Sequence, residues 1–310
     1  MKIAVLMGGS SQEREISLLS GKAIFEGLKK KGHDVKLYDV EWVGKNTLFP
    51  AIEEIKKNSV DIVFLALHGG LGENGGIQGI LEAAGIAYTG SGITGSAVAM
   101  NKDITKSLFI QNGIPTARWL TGNSETLDIE TIENEIGYPC VVKPVDQGSS
   151  VGMFVVKNSE TLKFALNKAF SISETIMAEK YISGKELSVP ILGETALPVI
   201  EIRPSHGIYD YECKYTAGMT EYIVPAEISK ALEKEIKIYA LKAFKALGLR
   251  DIARIDFRLD KNGKPMCLEA NTLPGMTETS LVPKSSAKAG MDFPDLVSEI
   301  AGMAFNRKGK

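Results

Sequence analysis

Two carboxylates, an arginine and an asparagine crowd into residues 254–271, RIDFRLDKNGKPMCLEAN, in a pattern that suits a divalent cation. Asn262-Gly263 predicts a two-residue hairpin turn, because both central positions of a type I′ turn need positive φ. Lys261 then faces Lys264, Asp256 faces Glu269 and Arg254 faces Asn271. Side chains alternate along a strand, so Ile255, Phe257, Leu259, Met266, Leu268 and Ala270 form a core face. Arg254, Asp256, Arg258, Glu269 and Asn271 form the other. Two carboxylates directly opposite repel, by a few tenths to about 1 kcal/mol. A cation between them turns repulsion into attraction. Carboxylate and amide oxygens are hard ligands, and Mg²⁺ takes one or two carboxylates together with substrate phosphates. The competing reading is a solvated hairpin face paired by chance, and a one-residue slip scatters the set.

A second constellation lies upstream. Lys143 ends an apolar stretch and is followed by Asp146-Gln147-Gly148-Ser149-Ser150-Val151-Gly152. A lysine before a Gly/Ser loop suits oxyanions, which the loop N–H groups can wrap. A strand follows rather than a helix, so this is a hairpin over phosphates and not a P-loop. Taken alone, such a hairpin is also a common structural element.

The elements that position these residues alternate early in the chain. Lys2–Met7, Val35–Val40 and Asp61–Leu67 read as strands, with helices over Ser17–Lys31 and Asn74–Ala84. Strands separated by helices imply a parallel sheet, with ligands at the carboxyl ends of the strands. Those ends carry Gly8-Gly9-Ser10-Ser11 and His68-Gly69-Gly70. The spacing next predicts one helix over Gly95–Gln111, strands Pro139–Pro144, Gly152–Val156 and Thr175–Tyr181, and a helix Glu160–Ala169. Strands Glu186–Leu192 and Ala196–Ile202 follow, then a polar loop, Arg203–Thr220, with Tyr209, Tyr211 and Tyr215. A loop of that length in a compact protein is usually functional, and a lid fits its tyrosines. A long amphipathic helix, Ala226–Leu247, precedes the hairpin.

Composition narrows the function classes. The chain has 310 residues, 24% of them charged, and a net charge of −2, which gives no general pull toward nucleic acid or anionic membrane. No apolar run reaches the length of a bilayer span, and MKIAVLMGGSSQERE reads as a strand and turn rather than a signal peptide. Cys140, Cys213 and Cys267 are odd in number and form no C-x-x-C, as expected of reduced thiols in a cytoplasmic protein. No G-x-G-x-x-G follows the first strand, which argues against a nicotinamide enzyme.

In order and spacing, KPVDQGSSVG, EKYISGKE and RIDFRLD…LEANTLPGM resemble the ATP-grasp carboxylate–amine ligases. With GGSSQEREISLLSG, LHGGLGENGGIQG and YDYECKYTAGMT, the resemblance narrows to the D-alanine–D-alanine ligase family and runs over essentially the whole chain. The fold it implies is α/β. A Rossmann-like parallel-sheet domain (residues 1–94) precedes a two-subdomain, α+β ATP-grasp. Residues 95–183 would carry the phosphate loop, and 184–310 the lid and the metal hairpin. It also implies ATP and D-alanine as substrates, two Mg²⁺ (or Mn²⁺) ions, a homodimer and a role in peptidoglycan synthesis.

The same resemblance implies roles for individual residues. Lys102 and Lys143, with Ser149, Ser150 and the lid residue Lys214, would hold ATP phosphates. Glu179, Lys180, Tyr181, Ile182 and Glu186 would line the nucleotide cleft, with backbone reading adenine and Glu186 accepting ribose hydroxyls. Asp256, Glu269 and Asn271 would be the metal ligands, Glu269 bridging the two ions. Arg254 would stabilise the acyl-phosphate oxyanion, or form an ion pair with the carboxylates. Glu13 would hold the first D-alanine ammonium, with Ser149 and Tyr215 as partners; a first-turn helix carboxylate is its other reading. His68 would lie near that D-alanine, without a general-base role. Gly275 would offer backbone donors, and Ser280 and Leu281 the pocket for the second D-alanine, Ser280 also serving as a helix N-cap. Tyr181 and Ile182 depart from the tryptophan and leucine of many relatives. The alternatives are an ATP-grasp ligase for another D-amino or D-hydroxy acid, and a nucleotide-binding module without catalysis.

Overall fold

The computed structural model describes residues 1–205, 213, 216 and 218–308. Three β-sheets carry the fold. The first unit runs β1 (Lys2–Gly8), α1 (Arg14–Lys30), β2 (Asp34–Val40), α2 (Leu48–Lys57), β3 (Ile62–Leu65) and α3 (Gly76–Ala83). Its strands form a parallel sheet in the order β2-β1-β3, as the strand–helix alternation predicts. The α2 helix is an addition to the sequence reading.

Two helices follow, α4 (Ile93–Met100) and α5 (Lys102–Gln111), where a single helix was expected. The break is at Asn101, whose backbone is extended and whose side chain accepts from the N–H groups of Asp103 and Ile104. An asparagine that caps one helix cannot continue another. The middle sheet contains β4 (Trp119–Gly122), β5 (Cys140–Pro144), β6 (Phe154–Val156) and β7 (Ile176–Lys180), in the order β4-β7-β5-β6. Helices α6 (Ile129–Glu135) and α7 (Ser159–Phe170) cover it. β4 and α6 carry no strong sequence signal.

The third sheet holds β8 (Glu186–Leu192), β9 (Thr195–Ala196), β10 (Ile200–Pro204), β11 (Thr220–Ile223), β12 (Ile252–Leu259) and β13 (Pro265–Asn271). Its order is β11-β10-β8-β12-β13, with β9 paired to β8. The strand expected over Ala196–Ile202 is interrupted at Pro198, which has no N–H to give a ladder. Helix α8 (Lys230–Ala246) packs on this sheet, and α9 (Leu281–Lys288) and α10 (Phe293–Arg307) close the chain. Gly184 starts the unit by donating to Leu259 O at 2.9 Å. A Cβ there would collide with that oxygen. Among the described residues no helix is long and apolar enough to cross a membrane. The three cysteines are buried and form no disulfide.

The hairpin reaches the expected pairing by an unexpected route. Asp256 faces Glu269 and Arg254 faces Asn271, but Phe257 faces Cys267 and Leu259 faces Pro265. The turn is a three-residue loop, Lys261-Asn262-Gly263, not a two-residue type I′ turn. Asp260, rather than Lys261, faces Lys264 and donates its N–H to Lys264 O at 2.9 Å. Only Gly263 takes positive φ (+77°). The reason is Asp260, whose carboxylate accepts from the N–H groups of Asn262 and Lys264 and caps the loop. A β-bulge at Leu268 then adds one residue to β13 and restores the register. The bulge changes the core face. Cys267 is fully buried there, whereas Met266 and Leu268 are only partly buried.

Candidate functional site

Two cavities run between the three sheets. The larger, about 590 Å³, lies between the first sheet and the C-terminal loops. The narrower, about 110 Å³, lies between the middle and third sheets. Both are lined by Lys102, Gly148, Ser149, Arg254 and Glu269. Chemistry that joins two occupants belongs where these residues meet.

The narrow cavity has a cationic floor. Helix α5 begins at Lys102, whose Nζ donates to Gln147 O at 2.7 Å and stands 3.7 Å from Glu269 Oε2. Lys143, at the end of β5, donates to Glu179 Oε1 on β7. The other carboxylate oxygen of Glu179 accepts from Lys106 at 3.0 Å. Glu179 is thus pinned between two buried ammonium groups, and its carboxylate is not available as a base. Burial presses the Glu179 carboxyl upward. The charges and hydrogen bonds of Lys106 and Lys143 outweigh it and hold the group at about 2. Burial pulls the Lys143 ammonium down, but the Glu179 and Glu269 carboxylates more than reverse that and raise it. For Lys106 burial wins and the ammonium is lowered.

Lys106 was not a sequence candidate. A signal existed: Lys102 and Lys106 are four apart on one helix, a like-charge pairing unfavourable on a solvated face. It implies an acidic partner in the interior. Lys106 also donates to Thr116 Oγ1 at 2.6 Å, and Thr116 donates to Cys267 O at 2.8 Å. Lys106 therefore ties the middle sheet to the strand that carries Glu269.

Over this floor lies the Gly/Ser loop. Ser149 and Ser150 have φ of +48° and +60°, a left-handed conformation uncommon for non-glycine residues. Such strain concentrates at functional sites. It turns the Ser149 hydroxyl onto Glu13 Oε1, across from the first sheet. Glu13 sits at the N-cap position of α1, one residue before the first turn, and makes no side-chain cap. Farther along, Tyr181, Ile182 and Glu186 line the cavity with Leu268. The Lys180 ammonium donates to Tyr138 O at 2.9 Å, and its backbone N–H donates to Arg118 O at 2.9 Å. Leu268 and Glu269 are consecutive yet line the same cavity, which the bulge allows.

At the junction, Arg254 grips Asp256 with three hydrogen bonds, Nε to Oδ1 at 2.9 Å and to Oδ2 at 3.1 Å, and Nη2 to Oδ2 at 2.8 Å. Ser188, opposite on β8, donates to Asp256 Oδ1 at 2.6 Å. The two facing carboxylates are each balanced by a cation: Asp256 by Arg254 and Glu269 by Lys102. Asn271 Oδ1 accepts from the Leu273 N–H at 3.1 Å. Among the described residues no three His, Cys, Asp or Glu side chains cluster as a cation cage. Two carboxylates and an amide oxygen fit Mg²⁺ only as a partial set that phosphate oxygens complete.

The large cavity collects the remaining candidates, His68, Gly275, Ser280 and Leu281. His68 is buried, its Nε2 3.3 Å from Ser20 Oγ and its Nδ1 3.7 Å from Glu73. Glu73, a lining residue, was also missed in the sequence. Ser280 precedes α9 but makes no side-chain cap. It holds the N-cap position with extended backbone, as expected, but its hydroxyl accepts from the Thr277 N–H at 3.1 Å rather than from a helix N–H. Lys214 and Tyr215 lie outside the described residues.

Comparison with known proteins finds relatives over the whole chain. The family model described as D-ala D-ala ligase C-terminus matches residues 108–301, and that described as D-ala D-ala ligase N-terminus matches residues 42–91. A protein of Aquifex aeolicus named D-alanine–D-alanine ligase is 46% identical over 97% of this chain and 99% of its own length. One of the same name from Pelotomaculum thermopropionicum is 42% identical over 100% and 98%. The crystal structure of D-alanine–D-alanine ligase from Bacillus anthracis complexed with ATP superposes with a TM-score of 0.85. It shares 32% identity and covers 99% of this chain and 98% of that one.

Proposed function

This chain belongs to the D-alanine–D-alanine ligase family, and on that premise we propose that it joins two D-alanine molecules at the expense of ATP. The observation that carries the reading is the meeting of two cavities on Lys102, Arg254 and Glu269. One cavity suits a nucleotide and the other suits amino acids.

A carboxylate is a poor electrophile, and phosphorylation gives it a leaving group. The carboxylate of the first D-alanine attacks the γ-phosphorus, and the bond to ADP breaks. The amine of the second D-alanine attacks the resulting acyl carbon, and phosphate leaves from the tetrahedral intermediate. Such transfers need positioning and charge neutralisation above all. Lys102 and Lys143 neutralise phosphate oxygens, and the Ser149-Ser150 loop covers them. Glu13, with Ser149, holds the first ammonium, beside His68. Arg254 stabilises the oxyanion. Gly275, Ser280 and Leu281 receive the second D-alanine at the start of α9, where a helix N-terminus favours a carboxylate. Lys180, Tyr181, Ile182 and Glu186 hold the nucleoside, and Glu179 acts by fixing Lys143. Lys214 and Tyr215 belong to a lid that excludes water from the acyl phosphate. Asp256, Glu269 and Asn271 would hold two Mg²⁺ or Mn²⁺ ions, which would neutralise charge on the terminal phosphates.

The units follow the sheets, with residues 1–94, 95–183 and 184–310 as substrate, phosphate-loop and lid-and-metal domains. A cytoplasmic homodimer completes the proposal, and light scattering tests its dimeric part.

Phosphate release from Mg-ATP tests the activity, with D-alanine and with L-alanine as control. D-alanine-dependent release is expected, with D-alanyl-D-alanine as product. Glu269→Gln should lower turnover by roughly a hundredfold or more while the fold persists. Wild-type turnover in that variant would refute the metal role, and no D-alanine dependence would remove the substrate assignment.

A further inference from the structure

The reactive face of β12 carries Arg254, Asp256 and Arg258 at alternate positions, and the ligation chemistry leaves Arg258 unused. Its side chain is 13% exposed and lines the narrow cavity. Arg258 lies directly opposite Glu186 across β12 and β8. Its guanidinium carbon stands 5.3 Å from the centroid of the Tyr181 ring, within range of a cation–π contact. Its Nε is 3.5 Å from Glu186 Oε2, an ion pair too long for a good hydrogen bond. That Nε is buried and has no hydrogen-bond partner. Buried donors are seldom left unpaired, and those that are call for an explanation.

Position along the strand supplies one. Arg258 is two residues beyond Asp256, away from the junction of the two cavities and on the Tyr181 side. The phosphates belong at the junction, so the sugar of a bound nucleotide belongs at Arg258 and Glu186. A ribose hydroxyl donates well to an ionised carboxylate. A small turn of Glu186 toward Nε would satisfy the orphaned donor and fix the carboxylate in one orientation. The Tyr181 ring offers the guanidinium a cation–π contact.

We propose that Arg258 is a positioning residue for the nucleotide sugar. Stacked on Tyr181, it fixes Glu186 as an anionic acceptor and makes nucleotide selection depend on the ribose hydroxyls. The inference rests on the nucleotide reading of the narrow cavity and adds how the sugar is chosen.

Calorimetric titration of the full chain with ATP and with 2′,3′-dideoxy-ATP, both with Mg²⁺, tests it. Arg258→Met keeps an apolar wall but removes the charge. Its Kd for ATP should rise on the order of tenfold, the loss of one charge-assisted contact. Its Kd for the dideoxy nucleotide should stay near the wild-type value, so the preference for ATP collapses. Arg258→Lys keeps charge without the planar fork and should retain part of the preference. A parallel loss of affinity for both nucleotides would make Arg258 a wall of the cleft and overturn the proposal, as would an unchanged preference. Should wild-type protein bind both nucleotides yet release no phosphate with D-alanine, the ligase reading falls while the affinity ratio still decides the role of Arg258.

Discussion

Glu179 is one of the groups through which this protein responds to acid. Its carboxyl is held at about 2 in the folded chain, below the ordinary 4.5, by Lys106 and Lys143 against the opposing effect of burial. A depressed carboxyl contributes stability above its unfolded value and loses it as pH falls through the folded one. The window therefore runs from about 4.5 down to about 2. Asp251, which burial raises despite its contacts with Arg307, works in the opposite sense, so the acid limb of the whole protein is composite. Comparison of wild type with Glu179→Gln isolates the one group. The stability difference between them, from urea unfolding at a series of pH values, should narrow by on the order of 3 kcal/mol between pH 7 and pH 2. A difference that stays constant over that range would mean the cluster does not hold Glu179 ionised. The sequence reading reached Glu179 as a cleft residue but not its role. A lysine inside a helix ordinarily faces water, and only the fold shows that Lys106 faces a carboxylate brought in from 73 residues away.

At the level of elements, the hairpin shows which part of a sequence reading survives an error. What was legible for Asp256 and Glu269 is a shared face, from alternation. Their standing directly opposite was expected from a two-residue turn that does not form, and it holds because the bulge at Leu268 offsets the longer loop. The turn was not legible, since Asn262-Gly263 suits two loop types and Asp260 decides between them. The bulge at Leu268 leaves no local mark, because it exists to reconcile the loop with the strand pairing. The division between α4 and α5 was legible in principle, since Asn101 is a good N-cap whatever precedes it. That cap also sets Lys102 at the first position of α5, where its Nζ reaches Gln147 O. Asn101→Ala should therefore lower stability by about 1 kcal/mol. It should also weaken ATP binding, because α4 and α5 are then free to merge and swing Lys102 away. Urea unfolding and nucleotide titration measure the two effects separately. Lost stability with unaltered ATP affinity would show that the cap holds the helix but not the lysine.

On the scale of the molecule, the first unit buries one face of its sheet largely by itself, under α2 and α3, but not the other. Ile3, Val5, Ile24 and Leu28 share one apolar cluster with Leu296, Val297, Ile300, Ala301 and Ala304 of the last helix, and with Val282 of α9. Polar contacts repeat the closure. His33 Nε2 lies 2.9 Å from Ser298 Oγ, Lys31 pairs with Asp295, and Asp251 binds both Arg307 and the Gly90 N–H. The chain end thus covers one face of the sheet at its beginning. The sequence shows α10 to be amphipathic but not what it covers, because that contact spans nearly the whole chain. An isolated fragment of residues 1–94 would expose this face, and burial of such side chains is worth roughly 1.5–3 kcal/mol each. It should accordingly lack a cooperative urea transition and near-ultraviolet dichroism. Adding a peptide of residues 277–308 in trans should restore both, because it returns α9 and α10 to the sheet. A fragment that unfolds cooperatively on its own would show that the core under α2 and α3, together with α1, suffices without the terminal helices. The active-site geometry would then depend on the terminal helices far less than their packing implies.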